Sequence, residues 1–408
     1  MFESFFPRPR LFVYSFIFWS LFCVIAWHAG ADGWGTHLGL GVLPVDASAA
    51  TKGAAGSNAW FYLYMLFSYG LFVGAWMLLS PHRWGRWSIM GSAVIVFVTW
   101  FQVHLDVLIN DWFGTFYNSI QSALAKPNTV SIGEYYALIL TFLKIAMIAI
   151  TVSVFTRFFV SHWVFRWRTA INDYYTSKWE RVRHIEGASQ RVQEDAMRFA
   201  NIMENLGVSL IDSVMTLIAF LPILWELSHH VKELPVVGEV AHGLVYVALI
   251  WSVFGTGLLA LAGIRLPGLE FKNQRVEAAY RKELVYGEDH LDRATAPVVA
   301  QLFSDVRSNY FRLYVNYLYF NVVRYSYLQV GVLVPYIALA PTIVAGAFTL
   351  GVMQQIIRAF GRVETSFQYL VNSWTTIVEL MSIYKRLMAF ELAIANQPLP
   401  QIEGEQKG

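Results

Sequence analysis

The stretch SQRVQEDAMRFANIMENLGVSLIDSVMTLIAFLP, residues 189–222, begins as a charged segment and ends as an apolar run, with no turn signal between the two. At about 100° per residue, one helix gathers the polar side chains of residues 190–212 within an arc of roughly 140°. Unsatisfied polar groups in hydrocarbon cost several kcal/mol each, so this face needs water or polar partners if the helix enters lipid. We call this face the polar stripe, and its members are Gln190, Glu194, Arg198, Asn201, Glu204, Asn205, Ser209 and Asp212.

The composition predicts an all-α integral membrane protein. Of the 408 residues, 56% are hydrophobic and only 14% are charged, whereas soluble domains carry about 25% charged residues. The single cysteine, Cys23, lies in an apolar run, which excludes a disulfide framework and a cysteine-cluster metal site. No nucleophile–base arrangement and no basic patch interleaved with aromatic residues is recognisable. We therefore expect no enzyme, no cofactor or metal site and no nucleic-acid partner.

Apolar runs near the 18 to 20 residues that a membrane-crossing helix needs predict about eight transmembrane helices. The seventh segment is rich in tyrosine and contains Arg324, which indicates packing against protein or a wet cavity. The predicted spans are 11–28, 60–80, 88–109, 136–160, 207–227, 243–264, 313–335 and 338–357.

The distribution of Lys and Arg predicts the orientation. With eight spans and the N-terminus inside, only Lys52, Lys126 and Lys232 of the 30 basic residues fall in outer loops. Cytoplasmic loops carry an excess of Lys and Arg, and a shift by one span would reverse the asymmetry. We therefore expect a multi-pass protein with both termini in the cytoplasm.

The predicted organisation has three parts. Residues 1–87 contain two N-terminal transmembrane helices joined by a glycine-rich periplasmic loop, and residues 88–391 form a six-helix transmembrane core. Residues 392–408 read as a flexible tail. Two hydrophilic inner segments, 161–206 and 265–312, have a helical pattern with few Gly or Pro residues. They are predicted to extend the membrane helices into the cytoplasm.

Several motifs in order resemble the transmembrane half of ABC exporters, in the branch that carries fatty acyl and cobalamin substrates. They are INDWFGTFYNSIQSAL at 109–124, FRWRTAINDYYTSKW at 165–179, NQRVEAAYRKELVYGEDH at 273–290 and YLVNSWTTIVELMSIYKRL at 369–387. No phosphate loop of the form G-x-x-x-x-G-K-[ST] occurs in the chain. This combination resembles the SbmA/BacA family of peptide transporters of bacterial inner membranes.

The resemblance implies a homodimer with an exporter-like core, which imports diverse peptides, including cationic antimicrobial-type peptides, with the proton gradient as energy source. The two chains would lie among membrane lipids and enclose a central cavity by an isologous two-fold arrangement. The polar stripe and the segment around 265–290 would line this cavity. Acidic walls suit cationic peptides, and crowded or buried carboxylates can bind protons reversibly.

Intramembrane carboxylates are functional candidates by default, and Glu204 heads the ranking. The predicted proton-coupling residues are, in order, Glu204, Glu277, Glu194, Glu288, Glu283, Asp289 and Glu379. The predicted cavity-lining residues are Gln190, Asn201, Asn205 and Asp212. Other acidic residues are expected on solvated helix faces, namely Glu180, Glu186, Asp195 and Asp292.

Two other functions stay open. The chain could be the membrane subunit of an ATP-dependent transporter that relies on a separate ATPase, and its substrates could be lipids or fatty-acyl compounds. It could also be a membrane enzyme or scaffold for lipid handling, which would favour a dry, apolar cavity over an acidic one. His229 and His230 lie near Glu226 and Glu233 in a predicted outer loop, where zinc binding and plain solvation are the alternatives.

Overall fold

The computed structural model is almost entirely helical, as the sequence predicts. Most of the predicted glycine-rich connector and most of the predicted tail lie outside the residues that the structure describes. The structure describes residues 1–37, 56–185, 188–231, 233–235, 237–290 and 292–395.

The described residues form thirteen α-helices, one two-stranded antiparallel sheet and four short 3₁₀ or π-helical turns. The helices are α1 Pro9–His28, α2 Trp34–His37, α3 Gly56–Leu79, α4 Ser92–Ala125, α5 Ile132–Thr176, α6 Trp179–Val182, α7 Ala188–Gln190, α8 Ala196–Leu227, α9 Gly243–Gly263, α10 Leu266–Asp289, α11 Ala296–Val344, α12 Leu350–Asn372 and α13 Trp374–Ile394. The strands are β1 Glu233–Leu234 and β2 Gly238–Glu239, with Glu233 opposite Glu239. The 3₁₀ turns are Ala31–Gly33 and Ser228–His230, and the π-helical turns are Arg86–Gly91 and Arg191–Asp195.

The lengths of the helices confirm that several continue well beyond a membrane crossing. The 45 residues of α5 and the 49 of α11 correspond to roughly 65 to 75 Å at about 1.5 Å per residue, about twice the hydrocarbon thickness. The hydrophilic segments 161–206 and 265–312 are helical over most of their described residues. Proline at the first turn opens α10 and α11, where its missing N–H costs no helical hydrogen bond.

Seven helical segments are long and apolar enough to cross a membrane, counted over the described residues. The first six predicted spans coincide, to within one residue at their ends, with parts of α1, α3, the π-helical turn Arg86–Gly91 with α4, α5, α8 and α9. The seven segments are Pro9–Trp27, Trp60–Leu79, Arg86–Ala125, Ile132–Thr176, Ala188–His230, Gly243–Asp289 and Ala296–Val344.

The predicted boundaries of the last two spans are wrong. The predicted helix 338–357 is broken, because α11 continues to Val344 and α12 begins only at Leu350. Gly346 adopts a left-handed φ of 62°, and the N–H of Ala347 bonds back to the carbonyl of Thr342. This is the hydrogen-bond pattern of a glycine-terminated helix. The next helix, α12, is strongly amphipathic. Its polar residues lower its mean hydropathy, so α12 is not recognised as an apolar run.

The contacts divide the chain into two compact units. Unit 1 comprises Met1–Ile109, Ile139–Asp212 and Leu380–Gly408, and unit 2 comprises Asn110–Leu138 and Ser213–Glu379.

Aromatic residues of the N-terminal segment form much of the core of unit 1. Phe5 is fully buried and stacks on Trp167 with ring centroids 5.9 Å apart. Phe199 of α8 meets the edge of the same indole at 5.2 Å. The Met1 ammonium group pairs with Glu391, which also accepts a hydrogen bond from the buried Tyr175. These contacts fix the N-terminal segment against α5, α8 and α13.

In unit 2, the C-terminal part of α4 holds the first turn of α12. The side chains of Gln121 and Asn118 accept hydrogen bonds from the backbone N–H groups of Leu350 and Gly351, at 2.7 and 3.0 Å. The first N–H groups of a helix have no partner within it, so these two side chains act as caps supplied by another helix. α12 also packs against α9 and α11.

Candidate functional site

The polar stripe lies on the exposed side of the π-helical turn Arg191–Asp195 and of α8. Gln190, Asn201, Asn205 and Asp212 are exposed, and Glu194 and Glu204 are partly exposed. On the inward side, Phe199 and Ala200 are 1% and 3% exposed. Unit 1 therefore presents the predicted stripe residues together along one surface instead of enclosing them.

Glu204, the first-ranked candidate, links two helices. Its Oε1 accepts a hydrogen bond of 2.5 Å from the hydroxyl of Ser161 on α5. Both residues belong to unit 1. A hydroxyl can donate to a carboxylate and can also accept from a carboxylic acid. The contact is therefore compatible with both protonation states of Glu204.

In the π-helical turn before α8, the adjacent carboxylates of Glu194 and Asp195 point in different directions. Glu194 remains on the stripe and pairs with Arg198 one turn later, at 2.8 Å. Asp195 points inward, and its two oxygens accept bonds of 3.0 and 2.8 Å from Nε and Nη2 of Arg386 on α13. The side chain of Asp195 is 3% exposed. The expectation of a solvated Asp195 is therefore wrong, because the wider π turn directs it toward α13.

A second group of candidates lies on α10 in unit 2. Glu277 and Glu283 are partly buried, and Glu288 and Asp289 at the end of the helix are exposed. Glu283 pairs with Arg293 at 3.5 Å and accepts the backbone N–H of Ala294 at 3.1 Å. These contacts of Glu283 hold the turn between α10 and α11, whereas Glu288 and Asp289 face outward.

The last candidate, Glu379, is the C-terminal residue of unit 2. It lies on α13 and is partly buried. The structure therefore groups the candidates as a continuous stripe on α8 in unit 1, four carboxylates on α10 in unit 2, and Glu379 on α13.

One further carboxylate in unit 2, Glu364 of α12, is absent from the residues predicted above. Its Oε1 accepts hydrogen bonds from Trp251 of α9 at 2.8 Å, from Tyr327 of α11 at 3.2 Å and from Gln368 of its own helix at 2.9 Å. The signal in the sequence is the pair Glu364 and Gln368, four residues apart on an amphipathic segment. The tyrosine-rich seventh span also pointed to protein packing, and Tyr327 is only 3% exposed.

The predicted outer histidines make local contacts. The ring of His229 meets the edge of His242 with centroids 4.5 Å apart, and His230 contacts the carbonyl of Leu227 at 3.3 Å. Within the described residues there is no group of three His, Cys, Asp or Glu side chains that could hold a metal ion.

Comparison with known proteins gives relatives among ABC transporters. The chain is 23% identical over 347 residues to the Escherichia coli (strain K12) protein named inner membrane ABC transporter ATP-binding protein YddA, an alignment that covers 79% of this chain and 60% of the relative. It is 24% identical over 314 residues to an uncharacterized ABC transporter ATP-binding protein of Haemophilus influenzae, covering 72% and 52%. The chain thus spans just over half the length of these relatives.

A more distant relative is the Arabidopsis thaliana protein named ABC transporter D family member 2, chloroplastic. The identity is 21% over 248 residues, which cover 57% of this chain and 33% of the relative.

The family match covers most of the chain. Residues 81–395 match the SbmA/BacA-like family, a range that includes the polar stripe, α10 and Glu364. Together with the seven apolar helices among the described residues, this makes the chain a multi-pass membrane protein, and it belongs to the SbmA/BacA-like family.

Proposed function

We propose that this protein is a transporter that imports peptides, including cationic ones, across the bacterial inner membrane, driven by the proton gradient. Two identical chains would alternate a shared cavity between the two sides of the membrane. The observation that carries the proposal is the exposed polar stripe, which ends within an apolar helix and has Glu204 along its length.

A second copy of the chain would keep the polar stripe away from lipid. Asn201, Asn205 and Asp212 are exposed on the single chain, and polar side chains are costly to place against lipid. A two-fold arrangement that turns this face toward its own copy would enclose it in water instead. The stripe would then line the cavity of a homodimer, with lipid on the outer apolar faces.

The carboxylates of the stripe supply both attraction and coupling. A cavity with acidic walls concentrates cationic substrates. Carboxylates open to the more acidic outside would bind protons, and the same groups open to the cytoplasm would release them. Each proton that moves down the membrane potential supplies about 2.3 kcal/mol per 100 mV. Glu204 is the first of these carriers because it lies beyond the Glu194–Arg198 pair, where the helix becomes apolar.

We also propose that α12 is the eighth membrane crossing. It has 23 residues, enough to cross, and packs against α9 and α11, which are both apolar enough to span. A polar helix face that contacts protein tolerates membrane depth better than one that contacts lipid. Eight crossings would put both termini in the cytoplasm, with Arg358 and Arg362 inside this crossing and most other Lys and Arg on the inner side.

Purified protein in liposomes tests the energy source. A labelled cationic peptide is expected to accumulate when the outside is more acidic than the inside and no nucleotide is present. An uncoupler should abolish this accumulation. Uptake that requires an added ATPase and ATP, and ignores the pH gradient, would overturn the proposal.

That outcome would support the second candidate, an ATP-dependent transporter subunit. The names of the relatives favour it, since both bacterial proteins compared above are named as ABC transporter ATP-binding proteins. In this case the acidic stripe would bind substrate without carrying protons. Gradient-independent and ATP-dependent uptake would distinguish it from the first candidate.

Replacing Glu204 with glutamine is expected to lower gradient-driven peptide uptake by about tenfold or more. Loss of one coupled proton removes about 2.3 kcal/mol at 100 mV, and 1.4 kcal/mol corresponds to tenfold. Uptake by the variant, normalised to its amount in the liposomes, gives the measurement. The matched control is Glu180→Gln, which neutralises an exposed glutamate of α6 in the same unit and should retain uptake. Wild-type uptake by Glu204→Gln would remove Glu204 as a carrier.

A further inference from the structure

Outside the polar stripe, α9, α11 and α12 of unit 2 meet around one carboxylate. Glu364 of α12 receives three hydrogen bonds on Oε1, from Trp251 Nε1, Tyr327 Oη and Gln368 Nε2. Tyr327 and Gln368 are each 3% exposed, whereas Glu364 itself is partly exposed. Glu364 is therefore held by two buried donors and one partly buried donor, and the residue keeps some exposure to solvent.

Two glycines make room for this arrangement. A Cβ on Gly255 of α9 would lie 2.0 Å from the Tyr327 ring, and a Cβ on Gly331 of α11 would lie 3.0 Å from Glu364 Oε1. The rings of Trp251 and Tyr327 stack with centroids 4.9 Å apart. Because helix backbones and rings pack this closely, the four polar side chains have little freedom to rearrange. If Glu364 gains or loses a proton, only the directions of the hydrogen bonds can therefore change, and the heavy atoms stay in place.

Two acceptors near the Tyr327 hydroxyl allow its hydrogen to change partner. The Tyr327 hydroxyl lies 3.2 Å from Glu364 Oε1 and also 3.2 Å from the backbone carbonyl oxygen of Trp251. A hydroxyl has one hydrogen, so it can donate to only one of these oxygens at a time. Gln368 Nε2 lies 2.7 Å from the Tyr327 hydroxyl and 2.9 Å from Oε1, and its two hydrogens can serve both.

We propose that Glu364 and Tyr327 form a proton-binding site with two hydrogen-bonded states. In the ionised state, Tyr327 donates to the Glu364 carboxylate. When one proton arrives from solvent, the resulting carboxylic acid donates its O–H to Tyr327 Oη, and the Tyr327 hydrogen turns to the Trp251 carbonyl. Trp251 Nε1 and Gln368 keep their acceptors in both states, so one proton is gained without a buried polar group losing its partner.

The groups that face Glu364 favour a single titrating carboxylate. α9 contributes Trp251 and contains no charged residue, α11 contributes Tyr327, and α12 itself contributes Gln368. In the part of the chain that the structure describes, no ion pair joins Glu364 to Lys, Arg or His. Hydrogen bonds therefore hold the carboxylate in place, and a bound proton reverses the one from Tyr327.

The site would connect protonation to the packing of three helices. A protonated Glu364 loses its charge and reverses the direction of its bond to α11, which changes the attraction between α11 and α12. The role in transport rests on the proton-driven import proposed above, whereas the proton site itself does not.

Infrared pH-difference spectra of the purified full chain test the site without peptide or gradient. As the pH is lowered from about 9 to about 4, the C=O stretch of protonated carboxylic acids should appear. We expect one component of this band to be lost in Glu364→Gln and to move to higher frequency in Tyr327→Phe. The phenylalanine keeps the stacked ring and removes only the hydroxyl, so it remains informative if Glu364→Gln fails to fold.

The chain offers a matched control for the tyrosine variant. Tyr317 on the same helix donates a 2.7 Å hydrogen bond to Glu270, so Tyr317→Phe removes a similar contact elsewhere in unit 2. It should leave the Glu364 component unmoved. A band that is identical in the wild type, Glu364→Gln and Tyr327→Phe would overturn the proton site.

Transport in liposomes then tests the coupling. Glu364→Gln is expected to lower gradient-driven uptake about tenfold and to leave peptide exchange at equal pH within about threefold of the wild type. Equal loss of both activities, or loss of neither, would overturn the coupling role. Absence of gradient-driven uptake in the wild type would contradict the proposed function, and the infrared spectra would still decide the proton site.

Discussion

Replacing Gly351 with alanine is expected to lower strongly the amount of folded protein found in the membrane. A Cβ at this position would lie 2.0 Å from the backbone oxygen of Gly114 and 2.5 Å from Asn118 Oδ1. A backbone oxygen cannot move aside as a flexible side chain does, so α4 and α12 must separate. Overpacking costs about 1 to 3 kcal/mol, and loss of the caps from Asn118 and Gln121 adds about 1 kcal/mol each. The total of about 3 to 5 kcal/mol is a large part of the 5 to 15 kcal/mol typical of a domain.

Gly361 on the same helix provides the matched control. A Cβ there would meet no atom within 4 Å, and alanine favours a helix over glycine by up to about 1 kcal/mol. The measurement is the yield of monodisperse protein after extraction in mild detergent, together with its thermal unfolding midpoint. Gly361→Ala should equal or exceed the wild type. A Gly351→Ala protein with wild-type yield and midpoint would contradict the close approach of α4 and α12.

Breaking the ion pair between Asp195 and Arg386 is expected to destabilise unit 1 by about 3 kcal/mol, the lower end of the range for removal of one partner of a buried pair. The side chain of Asp195 is 3% exposed and that of Arg386 40% exposed, so Arg386→Met leaves a buried carboxylate without its bidentate partner. The thermal unfolding midpoint of the purified protein should fall. Asp195→Asn should have a smaller effect, because the amide keeps one acceptor for the guanidinium.

The double variant Asp195→Asn/Arg386→Met distinguishes a true pair from two independent residues. Contacting residues show non-additive effects, so the double variant should lose less stability than the two single variants added together. Arg83→Met is the control, because its pair with Asp173 is 75% and 39% exposed and such surface pairs contribute about 0 to 1 kcal/mol. Strictly additive losses in the double variant would show that the two residues do not stabilise each other.

The membrane class and six of the helix positions could be predicted because they depend on local composition. An apolar run of about 20 residues has few alternatives to a membrane helix. The polar stripe on α8 could likewise be predicted, since a helical period determines which side chains share a face. The motif INDWFGTFYNSIQSAL could be recognised but not explained. Only the structure shows that Gln121 of this motif caps α12 and that Trp112 donates to the carbonyl of Leu138 at 2.7 Å.

The break between α11 and α12 shows where local reasoning fails. The apolar run 338–357 appears continuous to a hydropathy measure, yet Gly346 turns left-handed and ends the helix. Glycine permits both a helix and a stop, so the surrounding hydrogen bonds decide between them. α12 then presents too many polar residues to be identified as a span, because its partners lie far away in the sequence.

What the sequence by itself determined is the class of the protein, six of its apolar helices and the polar stripe that contains Glu204. All of these follow from periodicity and hydrophobicity within about twenty consecutive residues. The tertiary structure alone decided that Asp195 is buried against Arg386 and that Glu364 is surrounded by Trp251, Tyr327 and Gln368. Asp195 and its partner Arg386 are 191 positions apart in the sequence. The residues next to a carboxylate in the sequence do not indicate which distant side chain will contact it.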